Sequence, residues 1–473
     1  MKKIFYKLFK KNKKGKNEAP KKASSKSRKE LIPVDRLPYY KSHLTTVKYV
    51  AKKYNMTKED AFLVMDDAKQ KYGITYTNFA SKDMMKNPTP ETFLKEKERR
   101  DAQRASYLRK ISDVTGWTLE KADEETARIE RVFKIGIRKY YDKQLYLLDD
   151  DGIANLKKEW SREAKERVEF VKEKTDWSES KIKAHMKTCN LAFGIDPEHY
   201  MVFKAWELTD EQLAEYSTLR DSRSLAHKYN KGISVLSDKE KFNRTFGDYT
   251  QRKFWVNRDS SYEEFLAFTE GLDSIFCKPL DLCSGTGAEK IKLDGDLRML
   301  YDDLMNRPKM LVEECVKQHP KMSGVYDGSV NTVRMVTLFK DEKCIRLCSF
   351  VRFGRNGATD NFGAGGVLAA VDEETGIIIT DAVDLKGEVY KKHPISGVEF
   401  KGFQIPHWDK VLEITENAIQ VVDSINYVGW DVAICEDKAV IIEGNSLPGL
   451  LAYQSAFAAE KKGQKYRFLP YMK

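Results

Sequence analysis

The spacing of apolar positions changes near the middle of this chain. From about Tyr40 to Asp210 apolar residues recur at helical intervals among charged ones, whereas from about Ser234 β-branched and aromatic runs alternate with glycine-bearing turns. The first region repeats itself with a period near 60 residues. Val47, Val50 and Asn55-Met56-Thr57 correspond to Leu108, Ile111 and Gly116-Trp117-Thr118, and then to Val168, Val171 and Asp176-Trp177-Ser178. In each copy Thr or Ser offers an N-cap oxygen to a second helix, which is expected to close on Gly73-Ile74, Gly136-Ile137 or Gly194-Ile195. Met56, Trp117 and Trp177 then either join adjacent repeats as core residues or line a concave docking surface for a carrier protein, peptide or glycan. The expected organisation is a tail over residues 1–39, an all-α region of three repeats over 40–225, and an α+β domain over 226–473.

At 473 residues the chain exceeds what one core usually serves. Its net charge of +11 suggests nucleic acid until it is located: residues 1–30 hold thirteen Lys or Arg against two Glu, which accounts for the whole excess. The remaining body is formally neutral, which argues against a nucleic-acid partner. Within Met1 to Lys10, Ile4, Phe5, Leu8 and Phe9 follow helical spacing among lysines. That pattern fits a helix on an anionic membrane surface, and equally a solubilising tail. No apolar run is long enough to span a bilayer and no secretory signal is evident, so the expected location is the cytoplasm, free or peripheral to the inner membrane surface. Seven cysteines without CxxC spacing, among them Cys277, Cys344, Cys348 and Cys435 in apolar runs, are expected to be reduced core residues.

The second region carries the candidate chemistry. Lys278 lies in a strand-like run that leads into Ser284-Gly285-Thr286-Gly287, whose backbone N–H groups can approach phosphate oxygens; a surface hairpin with a solvated lysine has the same pattern. Met310 to Val316 is a strand whose exit, Glu313, Glu314, Cys315 and Val316, suits an adenine edge met through backbone groups, or else ends in solvated acids. Arg334 and Arg352 flank a strand pair followed by the glycine loop Asp360-Asn361-Phe-Gly-Ala-Gly-Gly366. Their planar donor forks match phosphoryl oxygens, although surface ion pairs are the commoner use of arginine.

The hairpin Tyr427 to Ser446 says most. A three-residue loop, Glu436 to Lys438, pairs Cys435 with Ala439 and places Asp431 opposite Glu443, with Asn445 on the same face. Facing carboxylates repel unless a cation lies between them, and two carboxylates with an amide oxygen suit Mg²⁺ shared with substrate phosphates. An even-numbered loop would separate the acids onto opposite faces.

In this order, Lys278 with its glycine loop, Glu313-Glu314, Arg334, Arg352, the Asn361 loop, and Asp431 with Glu443-x-Asn445 resemble an ATP-grasp domain. The ending Glu443-Gly-Asn-Ser-Leu-Pro-Gly-Leu450 looks like that of amino-acid ligases of the ribosomal-protein glutamate-ligase type. Ser329 to Arg334, Asp360 to Gly366, Gly402 to Trp408 and Val428 to Asp431 are similar to the sugar-transfer-associated ATP-grasp group found with bacterial polysaccharide biosynthesis. The resemblance implies two α+β subdomains with ATP between them, Lys278 and Lys241 on the ATP phosphates, Mg²⁺ on Asp431, Glu443 and Asn445, and Arg334 and Arg352 stabilising charge during phosphoryl transfer. One departure stands out: some ligases of the superfamily carry Arg two residues before the metal-binding Asp, where this chain has Gly429.

The resemblance implies an ATP-dependent ligase that activates a carboxylate as an acyl phosphate and joins it to an amine or other nucleophile, with a small-molecule or glycan-linked substrate. A kinase acting on a sugar hydroxyl and a noncatalytic nucleotide-binding scaffold are the alternatives. His407, in Ile405-Pro-His-Trp408, is either a substrate-facing base or a helix-entry packing residue.

Overall fold

The computed structural model describes residues 32–81, 89–258, 260–280, 288–307, 309–357 and 359–472. The basic tail through residue 30 and the loop Ser284-Gly285-Thr286-Gly287 lie outside them. Contacts divide the chain into two compact units, residues 1–150 and 151–473.

The described part of the first unit is helical. Helices α1 (Leu44–Lys53) and α2 (Lys58–Tyr72) bury Val47, Val50, Phe62 and Met65, and α3 (Pro90–Thr115) and α4 (Leu119–Phe133) follow. Thr57 and Thr118 cap α2 and α4, accepting from the backbone N–H of Asp60 at 3.1 Å and Lys121 at 3.2 Å. Helix α2 closes on Gly73 in the left-handed region, at φ 64°. Helix α4 does not close on Gly136: Lys134, at φ 54°, takes the left-handed position, and Gly136 begins the next helical turn.

The second unit opens with α5 (Asp150–Lys174) and α6 (Glu179–Thr188), the latter capped by Ser178, which accepts from Lys181 N–H at 3.3 Å. Val168, Val171, Ile182, Tyr200, Phe203 and Tyr216 pack together with Ala458 from the far end of the chain. Helix α7 (Leu219–Tyr229) places Leu225 in a cluster with Val336, Leu338 and Tyr427. The backbone N–H of Ser217 donates to Gln454 Oε1 at 2.7 Å. Packing is therefore continuous across the boundary expected near residue 226, and the division instead falls after Asp150. Trp117 and Trp177 are half-buried, with Lys121 Nζ 5.2 Å and Lys181 Nζ 3.9 Å from their ring centroids, and Trp177 packs against the Val168–Tyr216 cluster.

Two antiparallel sheets follow. The smaller consists of β1 (Phe254–Val256), β2 (Ser274–Pro279), β3 (Glu289–Lys292) and β4 (Met310–Glu314), in spatial order β1-β4-β2-β3. It is flanked by α8 (Lys239–Thr245), α9 (Tyr262–Thr269) and α10 (Leu297–Asn306). The larger sheet comprises β5 (Thr332–Lys340), β6 (Lys343–Phe353), β7 (Val367–Val371), β8 (Ala382–Val383), β9 (Val389–Tyr390), β10 (Tyr427–Ile434) and β11 (Ala439–Asn445), in order β11-β10-β5-β6-β7-β8-β9. Two α+β layers therefore stand in this unit, as the α+β expectation required.

Side-chain alternation decides which face of the larger sheet does what. Val428, Trp430, Val432 and Ile434 of β10 join Val333 and Met335 of β5 and Val351 and Phe353 of β6 in one core, covered by α11 (Trp408–Ala418). Period-two geometry then sends Asp431, Arg334 and Arg352 to the opposite face together.

The described cysteines carry no disulfide, and Cys277, Cys348 and Cys435 are buried. Among the described residues no helix is long and apolar enough to cross a membrane.

Candidate functional site

Asp431 sits between two strands that both bring it partners. On β11 it pairs with Glu443, and on β5 with Arg334. The hairpin reaches this register by a route different from the one expected. Its loop is even, with Ile434 opposite Ala439 and Cys435 N–H donating to Lys438 C=O at 2.8 Å, which alone would throw the two acids onto opposite faces. A bulge then intervenes: Val432 pairs with Ile441 and Asp431 with Glu443, so Ile442 is the extra residue that restores the parity. The three-residue loop and the Cys435–Ala439 pair are corrected; the Asp431–Glu443 pair stands.

Asp431 is 2% exposed and held by two guanidinium groups. Arg334 grips both of its oxygens, with Nη2 to Oδ2 at 2.8 Å, and also donates to Pro448 C=O at 2.9 Å. Arg352 reaches Asp431 Oδ2 at 3.0 Å and Thr332 Oγ1 at 2.6 Å. Burial by itself would raise the Asp431 pKa, but the charges of Arg334 and Arg352 outweigh it and hold the carboxyl well below the usual range. Glu443 behaves in the opposite way. Burial of its surroundings and then the Asp431 charge push it up, although its carboxylate keeps a solvent-exposed side. Asn445 Nδ2 donates to Glu443 Oε1 at 3.1 Å, and turning that amide would present its oxygen instead.

Gly429 acquires a reason here. A Cβ at this position would lie 2.5 Å from Pro448 Cβ and 3.0 Å from Arg334 Cδ. The missing side chain leaves room for Arg334, so the guanidinium beside Asp431 comes across the sheet from β5 rather than from two residues back on β10.

Lys278 lies on the smaller sheet, 20% exposed, and its ammonium pairs with Glu313. The same carboxylate takes Arg252 Nη2 at 2.9 Å, and Arg252 Nη1 donates to Ile441 C=O on β11 at 2.9 Å. Glu313 is therefore not the solvated acid of the alternative reading. Burial would raise it, yet Lys278 and Arg252 bring it down to about 2. Glu314 accepts from Lys253 N–H at 3.2 Å, and Cys315 and Val316 leave the strand toward Gln318, which bridges to Cys435.

Lys241 does not reach this cleft: its ammonium is exposed and 3.4 Å from Asp238. Its neighbour on α8, Lys239, instead donates to the carbonyls of Pro279 at 2.7 Å and Leu280 at 3.1 Å, at the end of the Lys278 strand. Asn361 caps its own turn, accepting from Gly363 N–H at 3.0 Å. Asp360 carries the loop's link to the site: Oδ2 accepts from Thr332 N–H at 2.9 Å and lies 3.6 Å from Arg352. Burial raises the Asp360 pKa against the opposing Arg352 charge. Arg252, Lys239, Thr332 and Asp360 escaped the sequence reading. A second lysine within Asp238-Lys-Glu-Lys, and the Asp heading the glycine loop, were the only available signals. His407 caps α11 with φ 52°, and its Nε2 lies 2.7 Å from Glu436 C=O, which places it at a helix entry.

Two carboxylates and one amide on a single face form a hard-oxygen set. Among the described residues no three His, Cys, Asp or Glu converge into a metal-binding group, here or elsewhere; the third oxygen of this set is an amide. Glu443, raised by its neighbour, is the group a divalent cation would relieve.

Residues 296–464 match the family described as sugar-transfer associated ATP-grasp. Solved structures similar to the chain include D-alanyl-alanine synthetase A from Vibrio cholerae, at 11% identity and TM-score 0.32 over 50% of this chain and 65% of that one. D-alanine–D-alanine ligase from Bacillus anthracis matches at 15% and 0.30 over 50% and 66%. The ATP-grasp ligase PsnB, solved with a precursor variant, Mg and ADP, matches at 14% and 0.28 over 46% and 52%. The chain thus spans about half to two thirds of the length of these proteins. No curated protein matches it. The likeness to the sugar-transfer-associated ATP-grasp family lies in the C-terminal region, residues 296–464.

Proposed function

We propose that the chain is an ATP-dependent ligase that activates a substrate carboxylate as an acyl phosphate and joins it to an amine or another nucleophile on a glycan or a small molecule. ATP and Mg²⁺ are the cofactors of ATP-grasp ligases, and the residues at hand fit them. The observation that carries the reading is the convergence of Asp431, Glu443, Asn445, Arg334 and Arg352 on one face, tied to Lys278 through Glu313 and Arg252.

Asp431, Glu443 and Asn445 would hold Mg²⁺, with Asp431 oriented by two arginines; the ion would supply charge neutralisation for the phosphates. Lys278 and Lys239 would bind phosphate oxygens from the smaller sheet. Arg352, already spanning Asp431 and Thr332, would share its donor fork with the transferred phosphoryl group. The substrate carboxylate attacks the γ-phosphorus, ADP leaves, and the nucleophile then expels phosphate. The family description supports a glycan-linked acceptor. The proposal also includes a cytoplasmic site of action, docking of a carrier on the half-buried Trp117 or Trp177, and contact of residues 1–30 with anionic membranes.

The test is ADP release across candidate carboxylates with hydroxylamine present. Hydroxamate, lost in Asp431→Asn, supports the ligase. A phosphorylated hydroxyl product without hydroxamate makes the chain a kinase, and nucleotide binding without turnover makes it a scaffold.

A further inference from the structure

The smaller sheet ends in β1, and among the described residues no strand pairs with its outer side. Spatial order β1-β4-β2-β3 makes Phe254–Val256 an edge strand. Its inner side is used by β4: Lys253 C=O accepts from Glu314 N–H at 3.0 Å and Asn257 N–H donates to Met310 C=O at 3.4 Å. Antiparallel ladders alternate, so the N–H and C=O groups of Phe254 and Val256 point outward. Of these, the Val256 carbonyl accepts from Ser260 Oγ at 2.9 Å. Along this edge lies a cavity of about 500 Å³ that straddles both faces of the sheet.

The two walls differ. On the α8 side stand Glu240, Arg244 and Lys309, with the Arg244 guanidinium 5.5 Å from the Phe254 ring centroid. Glu240 is already engaged by Arg244 at 3.0 Å and Lys309 at 2.9 Å, which leaves this wall with one surplus positive charge. On the α9 side stand Trp255 and Phe268, which share a core with Phe265, and Glu264, whose carboxylate accepts from Ser261 N–H at 2.7 Å as part of the helix cap. Trp255 is 5% exposed and its buried indole N–H has no partner among the described residues. Arg258 lines the cavity from the exposed surface.

A strand laid against β1 would send alternate side chains to these two walls, one cationic and one aromatic. We propose that this edge binds an extended peptide segment of alternating acidic and apolar residues, by strand addition to β1. The backbone groups of Phe254 and Val256 supply the ladder, Arg244, Lys309 and Arg258 select the acidic positions, and Trp255 with Phe268 receives the apolar ones. At three residues β1 is a short edge strand, and it opens onto a cavity with chemically distinct sides. The site shares α8 with Lys239, but none of its lining residues belongs to the Asp431–Glu443 cluster, and its test does not depend on the activity proposed above.

The experiment measures binding of a fluorescent, terminally blocked octapeptide of alternating Glu and Val to the full chain, without nucleotide. A Lys–Val counterpart and free glutarate serve as competitors. Saturable binding that weakens at least tenfold in Arg258→Glu and in Val256→Pro, with no competition from the Lys–Val peptide, is expected. Val256→Pro removes an outward N–H and spares the β4 hydrogen bonds, but it also replaces a buried side chain, so its melting is measured alongside and must be unchanged for its binding result to count. Arg258→Glu, on the surface, is the second and independent variant. Absent binding overturns the proposal. So does binding that Val256→Pro leaves intact while glutarate competes, which would mark a small-anion site instead.

Discussion

Two buried carboxylates in this chain are built alike and do different things. Asp431 and Glu313 are each 2% exposed and each held by two cations, Arg334 with Arg352 and Arg252 with Lys278. Both pay the desolvation penalty of a buried charge and recover it through paired, hydrogen-bonded partners. The difference lies in what stands next to them. Asp431 faces a second acid, Glu443, with an amide beside it, so two carboxylates share the two guanidiniums, the cluster is formally neutral, and the Glu443 and Asn445 oxygens can receive a cation. Glu313 has no such neighbour; its charge is consumed in aiming Lys278 and in fastening Arg252 to the β11 backbone. One cluster is suited to chemistry and the other to positioning.

The largest effect separates them by turnover. Asp431→Asn or Glu443→Gln should lower Mg²⁺-dependent ATP turnover by about 10³ or more, and the double variant should fall little further, because groups acting on one ion are not additive. Glu313→Gln should leave kcat within roughly tenfold and raise KM for ATP by about tenfold. Equal kcat losses for Asp431→Asn and Glu313→Gln in steady-state assays would erase the distinction.

Stability comes next. Arg334→Met strands a buried carboxylate and should cost about 3–5 kcal/mol in urea unfolding, reduced somewhat by the remaining Arg352. Arg252→Met should cost less, because Lys278 stays beside Glu313.

The smallest effect is the most discriminating. Glu443 is raised above its ordinary value, so its ionisation opposes folding: the penalty is absent below pH 4.5 and appears as pH rises through the folded value. Without metal, Glu443→Gln should melt roughly 1–3 °C higher than wild type at pH 8, and the gap should close toward pH 4.5. Glu313 has the opposite sign. Its contribution is present above 4.5 and fades only as pH falls toward about 2, so the melting deficit of Glu313→Gln should be constant from pH 8 to 5. Thermal melts across that range check both.

How far each cluster could be read from the sequence follows from the range of the contacts. Asp431 and Glu443 lie on one hairpin, where alternation constrains partners, and the pairing was legible even though the loop length was misjudged. The even loop and the Ile442 bulge are two one-residue errors that cancel, and a bulge in an all-apolar run such as Val440-Ile-Ile leaves no mark in composition. Arg334 was singled out as a phosphate-type arginine, a role that stays a proposal, and its contact with Asp431 depends on β5 lying beside β10, which no local pattern states. The ion pairs of Glu313 were not legible because its partners, Arg252 and Lys278, lie 61 residues away in sequence for Arg252 and across the sheet for Lys278. On α8 the choice between Lys239 and Lys241 turned on helix rotation, for which a seven-residue helix gives too little periodicity. Composition and charge also failed to show that packing continues across residue 226, because Tyr216 and Leu225 find their partners at the opposite end of the chain.

The central claim is that Asp431, Glu443 and Asn445 form one Mg²⁺ site facing phosphates held from the smaller sheet. A crystal structure of the full chain with Mg²⁺ and a non-hydrolysable ATP analogue tests it directly. The account predicts an ion about 2.0–2.2 Å from a Glu443 oxygen, with the Asn445 amide turned to present its oxygen, Asp431 within coordinating or water-bridged reach, and Lys278 on a phosphate oxygen. A nucleotide bound elsewhere, or an ion that touches neither Glu443 nor Asn445 while Asp431 stays locked to both arginines, would contradict it.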